Sequence, residues 1–182
     1  VKELICKIID TPTGNDYIEM RAKGFEKISP QRKYHGISTQ IIAQIKNVRV
    51  PFNVDIGVGD IIVPRAEERT INTQLPDFEA PVIKIYSLES TIAERFDAIL
   101  QRFELTGRMK DFYDIYYLSR TFNFEGAKLQ AAIFETLQRR GTPYDRDSFK
   151  RVVALGDDED MQKRWKFFLK TIKDNTLEFP FV

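Results

Sequence analysis

Cysteine is nearly missing from this chain. Cys6 stands alone among 182 residues, which forbids an internal disulfide and any Cys-rich zinc site and makes a reducing cytoplasm the default compartment. Histidine is as scarce. His35 is the single one, so neither a Ser-His-Asp nor a Cys-His set finds support, and His35, after "RKY", reads as a solvated loop residue. No apolar run approaches the roughly 20 residues of a membrane span, and no secretory pattern opens the chain. Net charge is small as well: +1 overall neither announces nor excludes nucleic acid, and leaves room for a local basic patch.

What is present is the balance of a globular protein, 42% hydrophobic and 30% charged, with room for one core or two small domains. "VKELICKII" places Val1, Leu4, Ile5 and Ile8 at helical spacing, with Cys6 expected as a small core residue. The chain has no initiator Met and no leading cap, so it is expected to open partway through a helix, as a fragment of a longer protein. After the loop "DTPTGND", "YIEMRA" is a short strand candidate. "GISTQIIAQI" then alternates, with Ile37, Thr39, Ile41, Ala43 and Ile45 on one face. Beyond the turn-like "KNVR", "VPFNVDIGVGD" sets Val50, Phe52, Val54 and Ile56 on one face and Asn53 and Asp55 on the other. The two runs predict an antiparallel pair, with Pro51 near the strand start.

Ile61 to Pro81 reads as a long polar connection, and "VIKIYS" as one more short strand. Ser87 caps a first helix, and everything beyond is helical. "KLQAAIFETLQRR" stops at "GTP", and "DEDMQKRWKFFLKTI" carries a stripe of Met161, Trp165, Phe168, Leu169 and Ile172. Arg139 and Arg140 close a helix where cations suit the dipole. Strands first and helices second make the fold class α+β.

The candidate chemistry starts from two anomalies in "TIAERFDAILQRFELTGRMKDFYDIYYL". At about 100° per residue, Leu88, Ile92, Phe96, Ile99 and Phe103 form a stripe on the first helix, and Arg95 falls inside it. On the second helix Phe112, Ile115, Leu118 and Ser119 mark the inward face, and Asp111 points the same way. Glu94, Asp97, Arg102 and Asp114 sit at the edges or outside. A charge facing a core must be paired, snorkelled or used. One reading makes Arg95 and Asp111 an inter-helix ion pair that fixes the hairpin; the other puts Arg95 on a nucleotide phosphate and Asp111 on its orientation or on the substrate. The two stand on level terms. Arg108 and Lys110 precede the second helix against its dipole, which suggests an anionic partner; the plain reading of Arg108 is a loop cation paired with Asp111 or Glu104.

Asp55 lies mid-strand on the polar face, before a loop carrying Gly57 and Gly59 and ending at Asp60. A carboxylate there is suited to Mg²⁺ and phosphate, although a solvated strand Asp explains the pattern more simply. The glycines of "DIGVGD" have neither the spacing nor the following helix of a phosphate loop.

"FNVDIGVGDIIVP", "YSLESTIAERFDAI", "GRMKDFYDIYYL" and "LQAAIFETLQRRGTP", in that order, resemble the AbiEii/AbiGii toxin family of nucleotidyltransferases over nearly the whole chain. The resemblance implies a partial nucleotidyltransferase-type mixed or antiparallel sheet over residues 1–86, followed by a C-terminal helical domain over 87–182, with the active site in the cleft between them. It implies a cytoplasmic, bacterial toxin of abortive-infection and toxin–antitoxin systems, with a cognate antitoxin, a nucleoside triphosphate and Mg²⁺ as partners, and an RNA acceptor, tRNA ends in some members. By this match Asp55 is the metal-binding strand carboxylate, Arg95 the basic position of the "A-E-K" helix, and Asp111 the acid of the "R-x-x-D-x-Y-D" segment, with Arg108 and Lys110 as substrate-binding residues.

Two departures follow. The family's opening turn and D-x-D strand are absent and are expected upstream of Val1; without them a two-metal clamp cannot be built, so this chain alone is expected to be truncated and inactive. The usual Lys is Arg95, which keeps the charge and can fork onto phosphate but cannot readily lose a proton. The alternative is a non-catalytic nucleotide- or partner-binding module that retains the fold.

Overall fold

The computed structural model describes residues 1–12, 17–28, 35–59, 61–74, 77–173 and 177. The chain divides into two compact units, Val1–Asp60 and Ile61–Val182.

In the first unit, helix α1 (Lys2–Ile9) accompanies strands β1 (Glu19–Ile28), β2 (His35–Ile45) and β3 (Val48–Val58). The strands form one antiparallel sheet in the order β1-β2-β3. Period-two alternation gives it two unlike faces. One carries the rows Ala22–Ile41–Phe52 and Phe25–Thr39–Val54; the other carries Glu26–Ser38–Asp55 and Gly24–Gln40–Asn53. Helix α1 accompanies the apolar side: Ile5 is buried, as are Thr39 and Ile41, and Lys2 lies over the Phe25 ring. The Thr39 hydroxyl is satisfied by donating to the Gly24 carbonyl. Lys46 and Asn47 turn β2 into β3, with Lys46 at φ 51°. Pro51 is tolerated because β3 is an edge strand, where a missing N–H breaks no second ladder.

Several expectations change here. Cys6 is exposed, because Ile5 takes the buried position of this short helix. His35 opens β2 instead of sitting in a loop; its side chain is outside the described residues, as is Asp60. Gly57 belongs to β3, opposite Gly36, so the loop begins after Val58.

The second unit begins with a two-stranded antiparallel ribbon, β4 (Glu67–Thr70) with β5 (Val82–Ile85). The stretch read as pure connection therefore contains a strand. Helices follow: α2 (Leu88–Leu100), α3 (Met109–Thr121), α4 (Gly126–Arg140), α5 (Arg146–Ala154) and α6 (Glu159–Ile172). Ser87 caps α2 as expected, accepting from the Ser90 N–H while donating to the Val63 carbonyl. The Val63 N–H donates to Ser90 Oγ, so the chain before the ribbon is tied to the first turn of α2. Gly141 ends α4 in the left-handed region at φ 65°, as a glycine at this position is suited to do. Asp145 and Ser148 cap α5 reciprocally, and Asp158 caps α6.

The core of this unit is built from Ile99 and Leu100 of α2, Met109 and Phe112 of α3, Leu137 of α4, Val152 and Leu155, and Met161, Trp165 and Leu169 of α6. The α6 stripe thus faces inward, with Trp165 and Phe168 packed beside Tyr113; Ile172 at its end stays exposed. Ser119 is exposed too, so the inward face of α3 is concentrated in its first turn, at Met109, Asp111 and Phe112. Among the described residues no helix is long and apolar enough to cross a membrane.

Candidate functional site

Of the five side chains singled out from sequence, four meet in the second unit. Arg95 leaves the middle of α2 and reaches the first turn of α3. Its Nη1 lies 3.5 Å from Asp111 Oδ1 and its Nε 3.0 Å from Asp114 Oδ2. Arg108, just before α3, turns back over the helix: its Nε is 2.8 Å from Asp111 Oδ2, and its Nη2 donates to Oδ1 at 3.2 Å. Lys110 Nζ donates to both oxygens of Asp114 at 2.7 Å. Three cations therefore surround two carboxylates. Asp114, placed at the edge from sequence, is the second acceptor of the group.

Burial within this group is uneven. The Asp111 side chain is 2% exposed and that of Arg95 30%, whereas the heads of Arg108 and Lys110 are open to solvent. Two of its atoms, Arg95 Nε and Asp111 Oδ2, are buried without an aligned hydrogen bond; their close approaches are ionic contacts with poor angles. Burial pushes the Asp111 carboxyl above its ordinary value, and the adjacent Arg108 and Arg95 charges pull it back only in part. The plain reading of Arg108, a cation paired with Asp111, describes its contact; Glu104 pairs instead with Arg151. The arrangement can do one thing chemically. A buried carboxylate fixes two guanidinium groups, and the exposed edges of Arg108 and Lys110 offer positive charge at a helix start, where anions are favoured.

Asp55 belongs to the first unit. It sits on the polar sheet face and accepts a 2.6 Å hydrogen bond from Ser38 Oγ directly across on β2. Beside this pair lies a depression of about 460 Å³ lined by Lys23, Gly24, Glu26, Ser38, Gln40 and Asn53. Lys23 is the extra residue where β1 shifts register against β2, and such a bulge re-aims side chains. A divalent cation needs several oxygen ligands at once. Among the described residues no group of three Asp, Glu, His or Cys is close enough to hold one, and one carboxylate already bonded to a hydroxyl does not make the set. The described residues do not by themselves fit a metal.

The sequence reading missed the most buried charge of α2. Spacing puts Asp97 outside the stripe, yet it is 1% exposed. It accepts from the Thr142 hydroxyl, from Gln101 Nε2 at 2.9 Å and from Arg140 Nη1 at 3.0 Å. Arg140 also reaches Glu94 Oε1 at 3.1 Å, so it holds α4 to α2 and is more than a dipole-suited helix end. A signal existed in the small residues Ser90 and Ala93, which share a helix face with Asp97 and let another element approach it closely.

The family model described as "Nucleotidyl transferase AbiEii toxin, Type IV TA system" matches residues 1–180. No curated protein and no solved structure matches the chain.

Proposed function

Because the chain belongs to the AbiEii nucleotidyl transferase toxins of type IV toxin–antitoxin systems, we propose that it serves, in the cytoplasm, to transfer a nucleotide from a nucleoside triphosphate to an RNA acceptor, with the ends of tRNA as the first candidates. The observation that carries this reading is the family match over residues 1–180. In the reaction an acceptor hydroxyl oxygen bonds to the α-phosphorus, the bond from that phosphorus to the bridging oxygen breaks, and pyrophosphate leaves while the hydroxyl gives up its proton. Negative charge grows on the phosphoryl oxygens, and fixed cations stabilise it without reorganising.

Arg95, Arg108 and Lys110 supply that charge in this reading. Arg95 is held in place between Asp111 and Asp114, and Arg108 and Lys110 present their exposed edges to the triphosphate. Asp111 acts through the two arginines as a positioning residue. Asp55 is assigned the carboxylate role on the strand unit, in keeping with its place on the polar face of β3. The antitoxin that the system's name requires need not touch the protein directly.

The test is labelling of total RNA by the naturally expressed protein, with Mg²⁺ and each radioactive nucleoside triphosphate in turn. One triphosphate is expected to label RNA, and Asp55→Asn to abolish the labelling. Absence of label with all four would overturn the transfer reading; full labelling by Asp55→Asn would remove Asp55 from it. A second reading, a module that binds nucleotide or a partner without transfer, is favoured by one observation: Arg95, Arg108 and Lys110 are all already paired. It predicts triphosphate binding with no label on RNA.

A further inference from the structure

Helix α6 has an outer face that its role in the core does not explain. From Met161 to Lys173 the sequence carries five cations, Lys163, Arg164, Lys166, Lys170 and Lys173, and no Asp or Glu. At about 100° per residue, Lys163, Lys166, Phe167 and Lys170 fall within about a quarter of the helix circumference, opposite Met161, Trp165 and Leu169, which are buried. Phe167 is 74% exposed, the most exposed phenylalanine among the described residues. At its foot lies a depression of about 460 Å³ lined by Gly107, Met109, Arg164, Phe168 and Thr171 as well as Phe167 and Lys163.

The cations divide by how they are held. Lys163 pairs with Asp160 and Glu159 in the preceding turn. Arg164 is fixed by donating to the carbonyls of Glu104 and Thr106, which pins the rim of the depression. Lys166, Lys170 and Lys173 have no ion-pair partner among the described residues.

We propose that this face of α6 is a landing surface for a single-stranded segment of the RNA acceptor. An unpaired base stacks on Phe167 over the depression, and Lys166 and Lys170 meet the phosphates on either side. The combination of an exposed aromatic ring and flanking exposed cations is what sequence-tolerant recognition of single strands requires, because every base has a π-face and every link a charge. An anionic membrane fits less well. In-plane binding needs a broad apolar helix face turned outward, and the apolar face of α6 is spent on the core. The proposal rests on the transfer reading for its biological meaning but not for its measurement.

The experiment is fluorescence anisotropy with a labelled unstructured RNA oligonucleotide, a blunt RNA duplex and the full protein. Phe167→Ala is expected to weaken single-strand binding about 10-fold, and Phe167→Trp to preserve it. Lys166→Glu with Lys170→Glu is expected to weaken binding and to flatten the salt dependence by about 0.7 in slope for each phosphate left without its lysine. The exposed positions of all three leave folding intact, checked by an unchanged Tm. In the transfer assay Phe167→Ala should raise KM for RNA with kcat little changed. Unaltered oligonucleotide binding in both variants overturns the proposal, as does equal preference for the duplex, or binding to phosphatidylglycerol vesicles that these variants abolish while RNA binding persists. Failure of nucleotide transfer with intact, Phe167-dependent RNA binding overturns the reaction and leaves this surface standing.

Discussion

Thr142, two residues past the end of α4, donates its hydroxyl to the carboxylate of Asp97 on α2, forty-five positions earlier. The bond is buried, and Arg140 and Gln101 close on the same carboxylate. Two helices distant in sequence are thus locked at one point by a charge with three donors.

Removing that charge takes from the largely buried Arg140 one of its two carboxylates, leaving it Glu94, and leaves the Thr142 hydroxyl without its acceptor. Asp97→Ala is therefore expected to cost about 2–3 kcal/mol of stability, below the range for an uncompensated buried charge because Glu94 still faces Arg140. Thr142→Val, which removes a single donor, is expected to cost about 1–2 kcal/mol. Urea unfolding of the two variants measures both. Equal and small losses, under about 0.5 kcal/mol, would show that the lock is of no structural consequence.

The architecture could be read from the sequence wherever one pattern dominated. Alternation from Ile37 to Ile45 and from Val50 to Ile56 marked the β2–β3 pair, and Ser87 and the Gly141 of "GTP" marked helix ends through local backbone chemistry. Strand β4 escaped because "EERT" has no apolar alternation; it exists by pairing with β5. Asp97 escaped for a different reason. Periodicity assigns a charge at the edge of a stripe to solvent, and only the return of Thr142 and Arg140 from α4 makes burial tolerable. Cys6 failed in the opposite direction: in an eight-residue helix with one buried residue, Ile5, a small apolar side chain has no core to enter. Arg95 and Asp111 were visible because charges inside an apolar stripe need an explanation, but Asp114 and the bidentate return of Arg108 depend on side-chain reach that spacing does not show.

Two carboxylates should titrate on opposite sides of the ordinary value. Burial raises Asp111, so its native form binds a proton before the unfolded chain does. Its contribution to stability is complete below 3.8 and falls as pH rises through its raised native pKa. Asp145 is lowered by the Ser148 N–H and hydroxyl that bond its charged form; its contribution is present above 3.8 and is lost as pH falls through its lowered native pKa. Carboxyl carbon shifts followed by NMR across the acid range should place the Asp111 midpoint above that of Asp145. The reverse order would mean that the arginines, not burial, govern Asp111.

Arg95 and Asp111 can be asked directly whether they serve chemistry or only packing. Either single change, Arg95→Met or Asp111→Asn, removes one ionic contact between α2 and α3, although Asp111 keeps Arg108 in the first variant and Arg95 keeps Asp114 in the second, and both should lower stability. Residues in contact couple by about 0.5–3 kcal/mol, so the double variant should be more stable than the sum of the singles predicts. Activity separates the two roles. A group that only pairs would let the double variant recover transfer along with its stability. A cation that meets phosphate cannot be replaced by relieving its neighbour, so transfer should stay low in the double variant while stability is partly regained, and KM for the triphosphate should rise in every variant lacking Arg95. Arg95→Lys tests the same point from the other side: it keeps a positive charge but gives up the fork that spans Asp111 and Asp114, so it should lose stability more than it loses transfer. Transfer restored to the wild-type level in the Arg95→Met, Asp111→Asn protein would reduce the pair to a packing device.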